Sequence, residues 1–203
     1  MMDRINALSR RVPTWVVYGL GLVPLGVLVW GAIFGGLGPD PVKAIERSLG
    51  LRGLQFLLAS LAITPLRWVG LNLIRFRRAL GLLAFLYIAL HLTAWVWLDM
   101  GLRWEEMLAD LTRRPFVIIG MIGFLLLLPL AATSWNGAIR RMGAAAWGRL
   151  HRLAYLAILA GVLHYVILSR VWTAQLLIYA AVAVGLLALR LLRRSRPARR
   201  AMA

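Results

Sequence analysis

Three histidines, His91, His151 and His164, are the side chains of this sequence best suited to binding a metal or moving a proton. The chain contains no cysteine, which excludes disulfide bonds, thiolate catalysis, cysteine-ligated zinc and iron–sulfur clusters. Covalent attachment of c-type haem is excluded as well, because it requires the motif Cys-x-x-Cys-His. Any metal site in this chain therefore depends on imidazole ligands.

The histidines lie in a chain of 203 residues that is 62% hydrophobic and has a mean hydropathy of +0.79. Soluble domains are about 45–50% apolar. A soluble fold of this size could not bury the excess apolar surface, and a disordered chain would be far more polar. The composition therefore predicts an integral membrane protein, built entirely of α-helices.

Six segments are long and apolar enough to cross a bilayer, which requires about 20 residues of helix. They cover approximately residues 14–37, 53–66, 79–98, 115–134, 148–168 and 171–192. We interpret the first as a retained span, because its apolar run is too long for a signal peptide and no clear cleavage site follows it. The connections are short, so we expect residues 1–203 to form one domain, a six-helix transmembrane bundle.

The basic residues divide unequally between the two sides of this bundle. With the amino terminus placed inside, seventeen of the 24 Lys and Arg residues lie on the inner side, with only one of the seven acidic residues. Cytoplasmic loops of membrane proteins are enriched in Lys and Arg. The distribution predicts that both termini are cytoplasmic, and it accounts for the net charge of +17 without a nucleic acid partner.

This orientation places His91 and His164 at a similar depth, in the outer half of the membrane. His91 follows the inner end of the third span by 12 residues, about 18 Å of helix, and His164 follows the inner end of the fifth by 16, about 24 Å. Two neutral imidazoles on different helices can bind the opposite faces of a haem iron. The alternative is that each histidine only forms hydrogen bonds between helices.

His151 lies near the inner end of the fifth span, at the depth at which Arg77 and Arg78 begin the third. It precedes His164 by 13 residues, about 20 Å of helix, so one haem cannot bind both. His151 could bind a second haem, a haem propionate or a flavin phosphate, or it could be an ordinary interfacial residue. Arg77 and Arg78 could bind the same anionic groups or could only orient the spans. The third span has no histidine at its inner end, which argues against a second haem with two histidine ligands.

Two outer connections, residues 38–52 and 99–114, have a helical pattern and are expected to lie flat on the membrane surface. The segment 99–114 is the largest exposed piece on the outer side, so we expect a partner protein to dock there. Tryptophans near the predicted ends of the spans, Trp147 among them, are typical of the aromatic belt of membrane proteins.

Two other classes of function remain open from the residues alone. A small-molecule transporter would need a polar path, and the predicted spans contain no acidic residue and no internal repeat. A membrane anchor without a redox role would hold a partner at its outer face. The chain has no soluble domain and no Gly-x-Gly-x-x-Gly fingerprint, so any nucleotide-dependent reductase must be a separate protein.

Several short stretches, taken in order along the chain, resemble the ferric-reductase-like transmembrane family. They are GPDP at residues 38–41, SLAITPL at 60–66, RRALGL at 77–82, LHLT at 90–93, TRRP at 112–115, LHRLAY at 150–155 and HY at 164–165. Each stretch is weak by itself, but their order within a six-span chain is specific. The resemblance extends over nearly the whole sequence.

The resemblance implies a bacterial inner-membrane subunit that binds b-type haem and passes electrons outward. The implied acceptor is a periplasmic molybdopterin methionine-sulfoxide reductase of the MsrP type, and the implied donor is the quinone pool or a cytosolic flavin donor. An associated FMN is implied too. His91, His151 and His164 match the histidine positions of the family. The wider family often has two histidines on each of two spans, so a second haem here would need an unusual ligand.

Overall fold

The computed structural model describes residues 2–194, with side chains to residue 192, and this part of the chain contains helices without a β-strand. The helices are α1 (Met2–Arg11), α2 (Thr14–Phe34), α3 (Pro41–Trp68), α4 (Arg77–Ala94), α5 (Trp104–Arg113), α6 (Pro115–Ala132), α7 (Asn136–Met142), α8 (Ala144–Leu150), α9 (Leu153–Leu168) and α10 (Ala174–Arg194). Six spans among the described residues are long and apolar enough to cross a membrane, which confirms the predicted architecture. The arginines at 196, 199 and 200 that contribute to the predicted inner charge lie outside the described residues.

The second spanning helix, α3, begins at residue 41 instead of the predicted 53. Pro41 occupies the first turn, and the Asp40 carboxylate caps the helix by accepting a hydrogen bond from the Lys43 amide at 3.1 Å. Hydrogen bonds from the Lys43 amide and ammonium hold the pKa of the exposed Asp40 carboxyl below its usual value. The expectation that residues 38–52 lie flat on the membrane was therefore wrong for most of this segment.

This correction also brings one acidic residue, Glu46, into a span that was predicted to contain none. The prediction failed because Lys43, Arg47 and Arg52 interrupt the apolar pattern of residues 41–52. Long basic side chains can lie along a helix and still reach water, so such charges do not end a membrane helix near its surface.

The other spans differ from prediction mainly at their ends. The third begins with a 3₁₀ turn at Ile74–Phe76 and ends in a π-helical turn at Trp95–Asp99. The fifth is divided into α8 and α9 by a turn at residues 151 and 152. His151 therefore lies in a turn between two helices, so the regular geometry of α9 does not fix the direction of its side chain.

Two helical hairpins form the centre of the bundle. Helix α3 packs along α4, α6 packs along α9, and the two hairpins meet through smaller contacts, while α2 and α10 lie outside them. Glycines allow close approach within each hairpin: a Cβ at Gly53 would meet Ile88, and a Cβ at Gly123 would meet Ala160. Small residues at such contacts are typical of membrane helices, where packing replaces the hydrophobic effect as the source of association.

Candidate cofactor sites

His91 on α4 and His164 on α9 lie next to each other at the contact between the two hairpins. The centres of their rings are 6.2 Å apart, and the ring planes are inclined by 78°. Both side chains are half-buried. The structure thus brings together the two histidines that the helix arithmetic places at a similar depth.

Each of these histidines is held by a peptide carbonyl of its own hairpin. The Nδ1 atom of His91 lies 2.9 Å from the Glu46 carbonyl oxygen on α3, and the Nδ1 of His164 lies 2.7 Å from the Phe116 carbonyl oxygen on α6. A carbonyl can only accept, so Nδ1 carries the proton in both rings. The lone pair of each neutral imidazole is therefore on Nε2, where it can bind a metal.

The spacing of the two rings fits an iron bound between two imidazoles. A metal–imidazole bond is about 2 Å long and the ring centre lies roughly 1 Å behind its nitrogen, so two rings sharing a metal have centres roughly 6 Å apart. Zinc does not fit, since it takes three or four protein ligands and the described residues contain no cluster of three or more His, Asp or Glu side chains. Two imidazoles on separate helices instead match the axial ligand set of a haem.

A cavity of about 540 Å³ lies at the end of the bundle that carries Arg77, Arg78 and His151, on the side that faces α2. This end is called inner, and the opposite end outer, after the orientation predicted from the charges. Its wall combines apolar side chains with a group of cations and small polar residues. The polar members are Thr14, Tyr18, Ser60, Arg75, Arg77, Arg78, Ser134 and His151. A cavity of this size with positive charge on one wall suits an organic anion.

His151 contributes an unpaired nitrogen to this cavity. Its ring stacks on the indole of Trp147 at 3.7 Å, and its Nδ1 lies 3.2 Å from the Trp147 carbonyl oxygen. The Nε2 atom is buried and has no hydrogen-bond partner among the described residues. Buried polar atoms are rarely left unpaired, so this nitrogen is a candidate partner for a ligand atom.

Trp147 therefore lines the cavity wall, a role that its interpretation as a belt residue did not include. Its indole N–H donates to the Thr133 carbonyl oxygen at 2.9 Å, which orients the ring beneath His151. A tryptophan near the end of a span is typical of both roles, and only the rotation of the helix decides between them.

Arg77 lies near a second cation, Arg190, and has no acidic partner among the described residues. The nearby Arg190 donates to the Tyr155 hydroxyl at 2.8 Å and to the Leu61 carbonyl oxygen at 2.7 Å. Within residues 2–192, neither arginine forms an ion pair with an acidic side chain. Two adjacent cations in a partly buried site favour an anionic ligand, because the ligand relieves their repulsion.

An aromatic pair lies between the inner cavity and the two outer histidines. Phe85 lines the cavity and stacks on Phe124 of α6, with ring centres 5.9 Å apart and an interplanar angle of 10°. Phe85 precedes His91 on α4 by six residues, about 9 Å of helix. Phe124 follows the histidine-contacting Gly120 on α6 by four residues, about 6 Å. The pair therefore separates the two candidate sites.

The sequence suggested all three histidines and Arg77 and Arg78 as candidate site residues, but it did not suggest the residues that contact the histidines or lie between the two sites. The carbonyl groups of Glu46 and Phe116 carry no signal in a sequence, since every residue has one. Phe85 and Phe124 look like ordinary lipid-facing or core residues in an apolar span. Their positions follow only from the packing of the hairpins.

Comparison with known proteins supports the resemblance seen in the motifs. Residues 48–162, more than half of the chain, match the family described as ferric reductase like transmembrane component. The protein-methionine-sulfoxide reductase heme-binding subunit MsrQ of Brucella anthropi is 44% identical over 180 residues, which cover 88% of this chain and 81% of that protein. The MsrQ subunits of Brucella ovis and Brucella canis are 45% identical over the same shares. The chain therefore belongs to the ferric-reductase-like transmembrane family, with the MsrQ subunits among its relatives.

Proposed function

We propose that this chain is a membrane electron-transfer subunit that holds one b-type haem between His91 and His164. The observation that carries the proposal is the pair of Nδ1-anchored imidazoles whose ring centres are 6.2 Å apart. A bound haem would supply reversible one-electron chemistry at its iron. The protein's part is to present two neutral imidazoles, to hold their tautomers through the carbonyl bonds, and to surround them with apolar side chains.

The inner cavity is proposed as the site at which electrons are received, with FMN as its ligand. Arg77 and Arg78 would bind the phosphate, while the Nε2 atom of His151 would bind a polar atom of the same ligand. Trp147 and His151 offer a flat stacked surface on the cavity wall. A second haem bound through His151 is the alternative for this cavity. The donor would be the quinone pool or a cytosolic flavin donor.

The acceptor is proposed to be a periplasmic molybdopterin methionine-sulfoxide reductase of the MsrP type. The support is that the MsrQ relatives are named as heme-binding subunits of protein-methionine-sulfoxide reductase. We propose that the protein lies in the bacterial inner membrane with both termini cytoplasmic, because its basic residues are concentrated at one side. The outer helix α5 has an exposed acidic edge at Glu105 and Glu106 and is proposed to contribute to docking.

The test is an absorbance spectrum of the purified protein, with haem and flavin quantified per chain. We expect one low-spin b-type haem per chain and one FMN that is released on denaturation. Electrons from a reduced flavin should then appear in the haem spectrum. A colourless protein would contradict the proposal and would favour a transporter or an anchor without redox role.

Replacing Phe85 with alanine should slow electron transfer between the two sites several-fold while both cofactors remain bound. The change removes one ring of the stacked pair and leaves a cavity, and electrons tunnel less readily across a gap than through packed atoms. Stopped-flow reduction of the haem by reduced flavin measures the rate. Phe56→Ala is the matched control, because Phe56 is also half-buried but contacts the tilted ring of Tyr87, and neither residue lines the inner cavity. Equal rates in the two variants would show that the Phe85 ring has no part in the transfer.

A further inference from the structure

We infer that Gly50 and Gly120 are positioning residues for the two haem ligands, an inference that rests on the ligation proposed above. Each glycine lies on the first helix of a hairpin, directly against the histidine of the second helix. Neither glycine has a positive φ, so backbone conformation does not explain its presence. We attribute the glycines instead to the backbone carbonyl that a side chain at either position would cover.

The first hairpin shows the arrangement between α3 and α4. The His91 ring donates from Nδ1 to the carbonyl oxygen of Glu46, and Gly50 is the fourth residue after that carbonyl. A Cβ atom built at Gly50 would lie 3.3 Å from His91 Nδ1, with two further ring atoms as its next neighbours.

The second hairpin repeats the arrangement between α6 and α9. The His164 ring donates from Nδ1 to the carbonyl oxygen of Phe116, and Gly120 is again the fourth residue after the acceptor. A Cβ atom at Gly120 would lie only 2.8 Å from His164 Nδ1. The same histidine, carbonyl and glycine therefore occur at equivalent places in both hairpins.

Helix geometry explains why the fourth residue must be glycine. In an α-helix the carbonyl of residue i accepts the amide N–H of residue i+4. The Cα–Cβ bond of residue i+4 points back toward the amino terminus, so its side chain covers that same carbonyl. A donor from a neighbouring helix can reach the second lone pair of the oxygen only if residue i+4 leaves the approach open. Glycine is the residue that does so.

These two glycines differ from those that only bring helices together. The atoms nearest to a Cβ at Gly53 belong to Ile88, and those nearest to a Cβ at Gly123 belong to Ala160 and its neighbours. For Gly50 and Gly120, all three nearest atoms belong to the imidazole ring. The contact is therefore specific to the ligand side chain.

The two positions should not be equally sensitive. A methyl group 2.8 Å from Nδ1 cannot be accommodated without moving the His164 ring, whereas one at 3.3 Å needs the His91 ring to yield by a few tenths of an ångström. Moving the ring weakens the Nδ1–carbonyl hydrogen bond that orients the ligand. Loss of such an outer partner of a metal ligand costs about 10- to 100-fold in metal affinity.

The experiment compares Gly120→Ala, Gly50→Ala and the control Gly161→Ala in the purified haem-loaded protein. Gly161 lies on α9 three residues before His164, and a Cβ there would make an ordinary 3.9 Å contact with Leu54. One readout is the rate of haem loss to excess apomyoglobin, and the other is the electron paramagnetic resonance spectrum of the ferric haem, which reports ligand orientation.

We expect Gly120→Ala to lose haem about 10- to 100-fold faster and to show a shifted low-spin spectrum. Gly50→Ala should show the same changes to a smaller degree, and Gly161→Ala should behave as the parent. Parental spectra and rates in Gly120→Ala, or equal changes in Gly161→Ala, would overturn the inference. If Gly120→Ala cannot be purified in a folded form, the haem-loss rate and the spectrum of Gly50→Ala test the inference in its place.

A parallel His164→Ala variant separates this inference from the proposed function. If His164→Ala retains its low-spin haem, the ligation itself is wrong, and the positioning role fails with it. If His164→Ala loses the haem while both glycine variants behave as the parent, the ligation stands and the positioning role alone is overturned.

Discussion

Replacement of His91 or His164 by alanine is expected to abolish the low-spin b-type haem of this protein. Each imidazole would supply one bond to the iron, and the remaining histidine cannot replace the lost one because it already supplies the other bond. We expect haem per purified chain to fall by more than about tenfold, because loss of an outer hydrogen-bond partner alone costs that much. The pyridine haemochrome assay and the reduced absorbance spectrum measure the result.

His151→Ala is the matched control for this experiment. It removes the third histidine of the chain, which lies at the inner cavity and not between the hairpins. The outer haem should remain with its normal spectrum. Added imidazole should restore a low-spin spectrum to His164→Gly, because the free ring can enter the space left by the side chain. Retention of normal haem in both His91→Ala and His164→Ala would refute the ligand assignment.

Arg77→Gln is expected to weaken binding of FMN while leaving the haem spectrum unchanged. The guanidinium lines the inner cavity and has no carboxylate partner among the described residues. Hydrogen bonds to charged groups contribute about 1.5–3 kcal/mol, so the dissociation constant should rise about 10- to 100-fold. Fluorescence of the flavin released during dialysis measures the change. Arg77→Lys should be intermediate, because it retains the charge but loses the planar donor geometry.

Arg149→Gln is the control, since Arg149 lies at the same end of the bundle but does not line the cavity. Its FMN content should equal that of the parent. A different result would identify the alternative ligand: if Arg77→Gln or His151→Ala lowers the haem count from two per chain to one, the cavity binds a second haem. If Arg77→Gln and His151→Ala both retain the parental FMN content, the cavity does not bind the flavin and the proposed site of electron entry is wrong.

Much of the membrane architecture was predictable from local properties of the chain. A helix rises by a constant amount per residue, so residue number converts directly into depth once the direction of a span is known. This is why His91 and His164 could be placed at a similar level before any packing was known. The charge of residues 41–52, by contrast, concealed the outer part of α3, and with it the position of Glu46.

The cofactor sites themselves depend on features that hydropathy does not report. Whether Trp147 faces lipid or His151, and whether Gly50 faces lipid or His91, is set by the rotation of each helix about its axis. A span such as α6 is apolar on all sides, so its sequence does not specify which face points inward. Packing of small residues against neighbouring helices decides that rotation.

The sequence by itself therefore determined the number of spans and the short set of residues that can bind metal, and it predicted the side of the membrane on which most of the charge lies. Those properties depend on the composition of each segment and on the number of residues along each helix, and the amino-acid sequence states both directly. Only the tertiary structure decided that α3 pairs with α4 and α6 with α9, and that each pair turns a carbonyl toward its histidine. Such contacts join residues more than 40 positions apart, and in each hairpin a glycine packs against the histidine ring beside the carbonyl.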